Sequence, residues 1–139
     1  MTRPTDNQTA VFVYGTLMRG ECRHSLLCDQ QFVSAATTAP QYRLLRVADY
    51  PGLVDAIADN GVSVSGEVWL VDNESLQRLD ATECVDDGLY ERRKIHLQEP
   101  HSSEPIGSVH AWFYLRDTQG LADIGNDWRS ANALSLIHI

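Results

Sequence analysis

The sequence predicts an α+β or mostly β domain, a curled mixed sheet or small barrel with one helix beside it. Three observations carry that expectation. At least five short apolar or alternating stretches are separated by glycine, proline, asparagine and aspartate. A single segment has the 3.6-residue period of an amphipathic helix. Nothing in the chain repeats, runs in heptads or falls to low complexity, so solenoid and coiled-coil architectures lose their support. At 139 residues the chain has the length of one domain, able to bury a core without staples.

Residues 1–9 read as a flexible tail, and residues 10–139 as the domain. The first strand, Ala10 to Tyr14, is β-branched and aromatic, and Gly15 ends it in a loop. His24 to Cys28 suggests a helical turn. Gln31 to Thr38 and Tyr42 to Val47 are strand-like, broken by Ala39-Pro40. Tyr50-Pro51-Gly52 is a turn re-entering an apolar stretch, because a residue before proline is driven to extended backbone. Asn60-Gly61 predicts a tight hairpin turn before a core strand from Val64 to Val71. Asp72-Asn73 offers a helix cap, with a helix from about Glu74 to Glu83. Asp86-Asp87-Gly88 turns into an alternating strand, Tyr90 to Gln98. Residues 99–107 form a proline- and serine-containing loop. In Ser108–Arg116 both faces carry large side chains, which marks a central or cavity-lining strand. A loop from Gly120 to Trp128 leads to an apolar end, Ala133 to Ile139, suited to a docked element or an oligomer contact.

Composition narrows the function. Nineteen acidic against eleven basic residues give a formal charge of −8, which repels phosphate backbones and argues against nucleic acid as a partner. Three cysteines, Cys22, Cys28 and Cys84, contain no CxxC pair, so a disulfide framework or zinc ribbon is not expected and a reducing cytoplasm fits. The polar N-terminus has no signal-like apolar region, and no apolar run approaches a membrane span. Phosphate-loop, HExxH, GxSxG and EF-hand patterns are absent, and the five histidines lack metal-ligand spacing.

Two places can carry chemistry. The loop opening at Gly15 can gather backbone N–H groups into a concavity for an anion or carbonyl, or it is simply the turn after a core strand. On the helix, Leu76, Leu79 and Glu83 share one stripe, so a carboxylate continues the face turned to the core. It is either a general acid or base tuned by partial burial, or a paired carboxylate or frayed end. Cys84 as a thiol nucleophile is a third reading, weakened because a helix C-terminus does not stabilise a thiolate.

Taken in order, Phe12-Val13-Tyr14-Gly15-Thr16-Leu17 with Gly20 and His24, Tyr50-Pro51-Gly52, Gly66-Glu67-Val68, and Leu79-Asp80-Ala81-Thr82-Glu83 followed by Tyr90-Glu91-Arg92 resemble the gamma-glutamylcyclotransferase-like superfamily. The nearest branch is that of the gamma-glutamylamine cyclotransferases. The resemblance implies a small mixed β-barrel with flanking short helices and a pocket at its mouth. It implies that Tyr14, Gly15, Thr16 and Leu17 hold the gamma-glutamyl group, that Glu83 is catalytic, and that Tyr114 borders the pocket. It also implies a cofactor-independent reaction in which the substrate's α-amine attacks its own γ-carbonyl and expels an amine as 5-oxoproline forms. The partner is then a small gamma-glutamyl substrate, with no nucleic acid or membrane, and the chain is a monomer or weak homodimer. One departure stands out: the family commonly has glycine where this chain has Cys84. The alternative on the same fold is a non-catalytic domain binding a small ligand or a protein segment.

Overall fold

The computed structural model describes residues 8–21, 23–57, 59–98 and 108–131. Cys22, the loop at 99–107 with His101, and the apolar end from 132 lie outside them. The elements are β1 (Gln8–Val13), a 3₁₀ turn (His24–Leu27), β2 (Gln31–Thr37), β3 (Tyr42–Arg46), β4 (Pro51–Asp55), β5 (Ser65–Asp72), α1 (Asn73–Thr82), β6 (Tyr90–Ile95), β7 (Val109–Tyr114) and β8 (Ala122–Asp123). Residues 128–131 are helical. The fold is a mixed α+β architecture, as expected, with a large, mostly antiparallel sheet and few short helices. Gln8 and Thr9, expected in the tail, already pair with Asp72 and Val71.

All eight strands belong to one sheet, ordered β2-β5-β1-β7-β4-β3-β8, with β6 on the other edge of β7. β1 and β4 run parallel to β7, and the remaining pairs are antiparallel. An isolated bridge from Thr38 to Leu97 ties the end of β2 to the chain beyond β6. There the Ala39 N–H donates to the His96 carbonyl at 2.9 Å and the Gln98 N–H to the Thr37 carbonyl at 2.8 Å. Strands β2, β5, β1, β7 and β6 thus curl into a ring, and β4, β3 and β8 extend from it as a flap. Inside lie Phe12, Leu70, Ala111 and Phe113, all essentially without exposed surface.

Two local expectations yield to this topology. Asn60-Gly61 makes no hairpin, because β4 is held by β3 and β7 whereas β5 belongs between β1 and β2. Glycine is needed there for space: a Cβ on Gly61 would stand 2.2 Å from the Pro40 carbonyl oxygen. Pro51 and Gly52, expected in the turn, already belong to β4; the turn ends at Tyr50, and Pro51 opens the strand, a position where the missing N–H is tolerated.

Candidate active site

The site begins at a fork in the sheet. On one edge of β7, β1 pairs with Val109 and His110 and β4 pairs with Phe113. Tyr14, the first residue past β1, fills the gap between them. Its hydroxyl donates to the Trp112 carbonyl at 2.7 Å and accepts the Leu53 N–H at 3.2 Å, so a side chain supplies the missing rung. Burial, with the Glu83 charge adding to it, pushes the phenol well above its ordinary range and keeps it protonated.

Beyond the fork the chain turns sharply against β4. A Cβ on Gly15 would lie 2.5 Å from Pro51 Cγ, so only glycine allows this approach. The carbonyls of the loop are turned to the protein. Gly15 accepts from the Met18 N–H at 3.1 Å, Thr16 from the Arg23 N–H at 2.8 Å, and Leu17 from His24 Nδ1 at 3.1 Å. The N–H groups of Gly15, Thr16 and Leu17 have no acceptor among the described residues. Glu67, buried on β5, holds the far end of the loop. Its carboxylate accepts the Arg19 backbone N–H and Arg19 Nε, both at 3.0 Å, and Trp69 Nε1 at 3.2 Å. Burial alone would raise its pKa, but these donors overcome that and hold it below 4.5.

Glu83 arrives from the opposite side. Asp72 caps α1 by accepting the Ser75 N–H at 2.7 Å, and Leu79 anchors the helix in the core. Glu83 is the C-terminal cap, and Cys84 after it adopts φ 54°, the left-handed conformation usually given to glycine. Two bonds complete the ending, Val85 N–H to the Asp80 carbonyl and Cys84 N–H to the Ala81 carbonyl, both at 3.1 Å. This is the Schellman arrangement. Cysteine therefore takes the backbone shape that glycine would, and the chain still turns away to leave Glu83 facing the pocket. The Glu83 carboxyl makes no hydrogen bond to any described residue. Burial raises its pKa from 4.5 to about 7, against the opposing pull of Arg23.

These parts line an open pocket whose empty volume, with the solvent in its mouth included, is about 360 Å³. Tyr14, Gly15, Thr16, Leu17 and Glu83 all line it. Tyr114 does not: it sits behind Tyr90, with which it pairs across the ladder, their rings 5.6 Å apart. Trp112, two residues earlier on the same face of β7, lines the pocket instead. Arg23, Tyr50, Pro51 and Tyr90, with Phe12 and Val13 of β1, complete the wall. Tyr90 donates its hydroxyl to the Pro51 carbonyl at 2.6 Å and, buried, has its phenol pKa raised above the usual range. Tyr50-Pro51 and Tyr90 were visible in the sequence only as landmarks, and Arg23 carried no signal, being a lone cation before a one-turn helix. Cys84 lies outside the wall, its Sγ 3.9 Å from the Thr82 carbonyl and without a histidine partner among the described residues.

Comparison with known proteins gives the same neighbourhood from several directions. The profile of the family described as gamma-glutamyl cyclotransferase, AIG2-like, matches residues 11–130. A Vibrio cholerae relative with a provisional gamma-glutamylcyclotransferase name is 36% identical over 124 residues, 87% of this chain and 96% of its own. The human gamma-glutamylaminecyclotransferase is 34% identical over 122 residues, 78% of each chain. Among solved structures, an AIG2-like protein of Mus musculus superposes with a TM-score of 0.65 at 28% identity, over 82% of this chain and 80% of that one.

Proposed function

This chain belongs to the gamma-glutamyl cyclotransferase, AIG2-like family, and from that premise we propose that it releases 5-oxoproline and a free amine from a gamma-glutamyl amine or peptide, with Glu83 as general acid and base. The observation that supports this most is the Glu83 carboxyl. It stands in the pocket with no hydrogen bond from the protein, poised near neutrality, beside a loop whose N–H groups are unfilled.

The chemistry needs little beyond these parts. Glu83 takes a proton from the α-ammonium, and the freed amine attacks the γ-carbonyl carbon, forming the ring C–N bond. Loop N–H groups from Gly15 to Leu17 hold the oxygen as it becomes negative. Glu83 then returns the proton to the departing nitrogen as the original amide C–N bond breaks, and the ring nitrogen gives up its remaining extra proton, so that 5-oxoproline leaves with one N–H and the released amine ends as its ammonium. The nucleophile belongs to the substrate, so holding it folded against its own carbonyl replaces a protein nucleophile. A positioned acid or base contributes about 10²–10⁴ in rate and an oxyanion donor about 10²–10³.

The purified protein is to be incubated with gamma-glutamyl amines, gamma-glutamyl dipeptides and glutathione while 5-oxoproline is followed. Release from at least one of them is expected, and it is expected to fall by about 10²–10⁴ in Glu83→Gln. Stabilisation by ligand with no product from any compound would instead leave a binding domain.

A further inference from the structure

Glu83 shares its pocket with one cation among the described residues. Arg23 lines the same wall, its Cζ 5.9 Å from the centre of the Tyr50 ring. No described carboxylate lies within 4.0 Å of its guanidinium, Glu83 included, and no described acceptor takes its donors. Its charge is nevertheless felt by Glu83, whose carboxyl it pulls down. A guanidinium offers five N–H donors in a planar fork, so one left open beside a pocket matches a carboxylate brought by a ligand.

Two opposite charges that face one cavity without pairing define two poles. The α-carbon of a glutamyl group carries the complementary pair, an ammonium and a carboxylate on one atom. We infer that Arg23 receives the α-carboxylate of the gamma-glutamyl group while Glu83 faces its α-ammonium, which makes Arg23 the residue that selects for a free α-carboxylate. The identity of the ligand rests on the cyclotransferase reading above. Loop N–H groups at Gly15 to Leu17 are then left for the γ-carbonyl oxygen, so each polar group of the moiety has its own receptor. Holding both α-substituents also fixes the direction from which the amine reaches the γ-carbon.

Two probe pairs that differ only at the α-carboxylate test this. Calorimetry compares 5-oxoproline with its carboxamide, and turnover compares a gamma-glutamyl amine with its α-carboxamide, in the wild type, Arg23→Gln and Arg23→Lys. The wild type is expected to prefer the acid of each pair by about 10- to 100-fold. Arg23→Gln should erase the preference by raising KM and Kd for the acid of each pair far more than for the carboxamide, with Arg23→Lys in between. Equal losses on both members of a pair, a preference that survives Arg23→Gln, or failure of the wild type to bind 5-oxoproline would each overturn the assignment. A wild type that binds 5-oxoproline with an Arg23-dependent preference but forms none from any substrate would sink the catalytic reading and leave this one standing. Turnover with an Arg23-independent preference would do the reverse.

Discussion

A carboxyl that ionises near 7 must change both rate and stability with pH. The base form of Glu83 starts the proposed reaction, so kcat/KM should rise with pH and level off above about 7, the value to which burial lifts it. Initial rates of 5-oxoproline release from pH 5 to 8 would show this, and Glu83→Gln should lose about 10²–10⁴ in rate. The stability effect has the opposite sense. In the unfolded chain the group ionises near 4.5 and in the folded chain near 7, so the folded state holds its proton more tightly and loses stability as pH rises between those values. Removing the charge should therefore stabilise the fold where the wild type is ionised. Glu83→Gln is expected to melt about 3 °C or more higher at pH 8, with the gap closing toward pH 4.5, by calorimetry at both pH values. Helical spacing made Glu83 visible in the sequence, because a carboxylate on an apolar stripe is anomalous. Arg23 was not visible, since only the tertiary placement of its short turn brings it opposite Glu83.

At the scale of elements, the ending of α1 and the fork at β7 show where local rules reach and where they stop. The cap at Asp72 is decided by neighbours in the chain, and it was legible. The left-handed residue after Glu83 was legible only as a departure, because a cysteine there gives no hint of its backbone. That conformation costs a residue with a Cβ roughly 1 kcal/mol, so Cys84→Gly should stabilise the protein by about that amount in urea unfolding and leave turnover unchanged. Tyr114 illustrates the limit of alternation: residues 112 and 114 share a face, and only the fork decides that Trp112 reaches the pocket. The fork also depends on one hydroxyl. Tyr14→Phe strands the buried Trp112 carbonyl and Leu53 N–H and should cost about 1–3 kcal/mol, measured by chemical denaturation.

Across the whole molecule, one buried carboxylate joins distant parts of the chain. Glu67 on β5 receives Arg19 from the pocket loop, and Arg129 from the C-terminal helical turn lies 3.4 Å from the same carboxylate while also reaching the Arg19 carbonyl. The sequence marked Glu67 only as part of a strand and as a family landmark; its ties span 48 and 62 residues, beyond any local pattern. Held below its ordinary 4.5, Glu67 contributes stability that is complete above that value and lost as pH falls through its folded pKa. Glu67→Gln should then cost about 2 kcal/mol at pH 7 and less as pH falls below 4.5, where the unfolded wild-type chain takes up the proton first; urea melts at pH 7 and pH 3.5 give the comparison.

The fork stitched by Tyr14 divides the pocket into two halves with unequal freedom to evolve. Tyr14, Gly15 and Pro51 are bound into the weave of the sheet, so a change of shape there is also a change of fold. The side chains of Arg23 and Tyr50 hold no strand together. New substrate preferences are therefore most accessible to this scaffold on their side of the cavity, where a substitution can alter what is recognised without unpicking what recognises it.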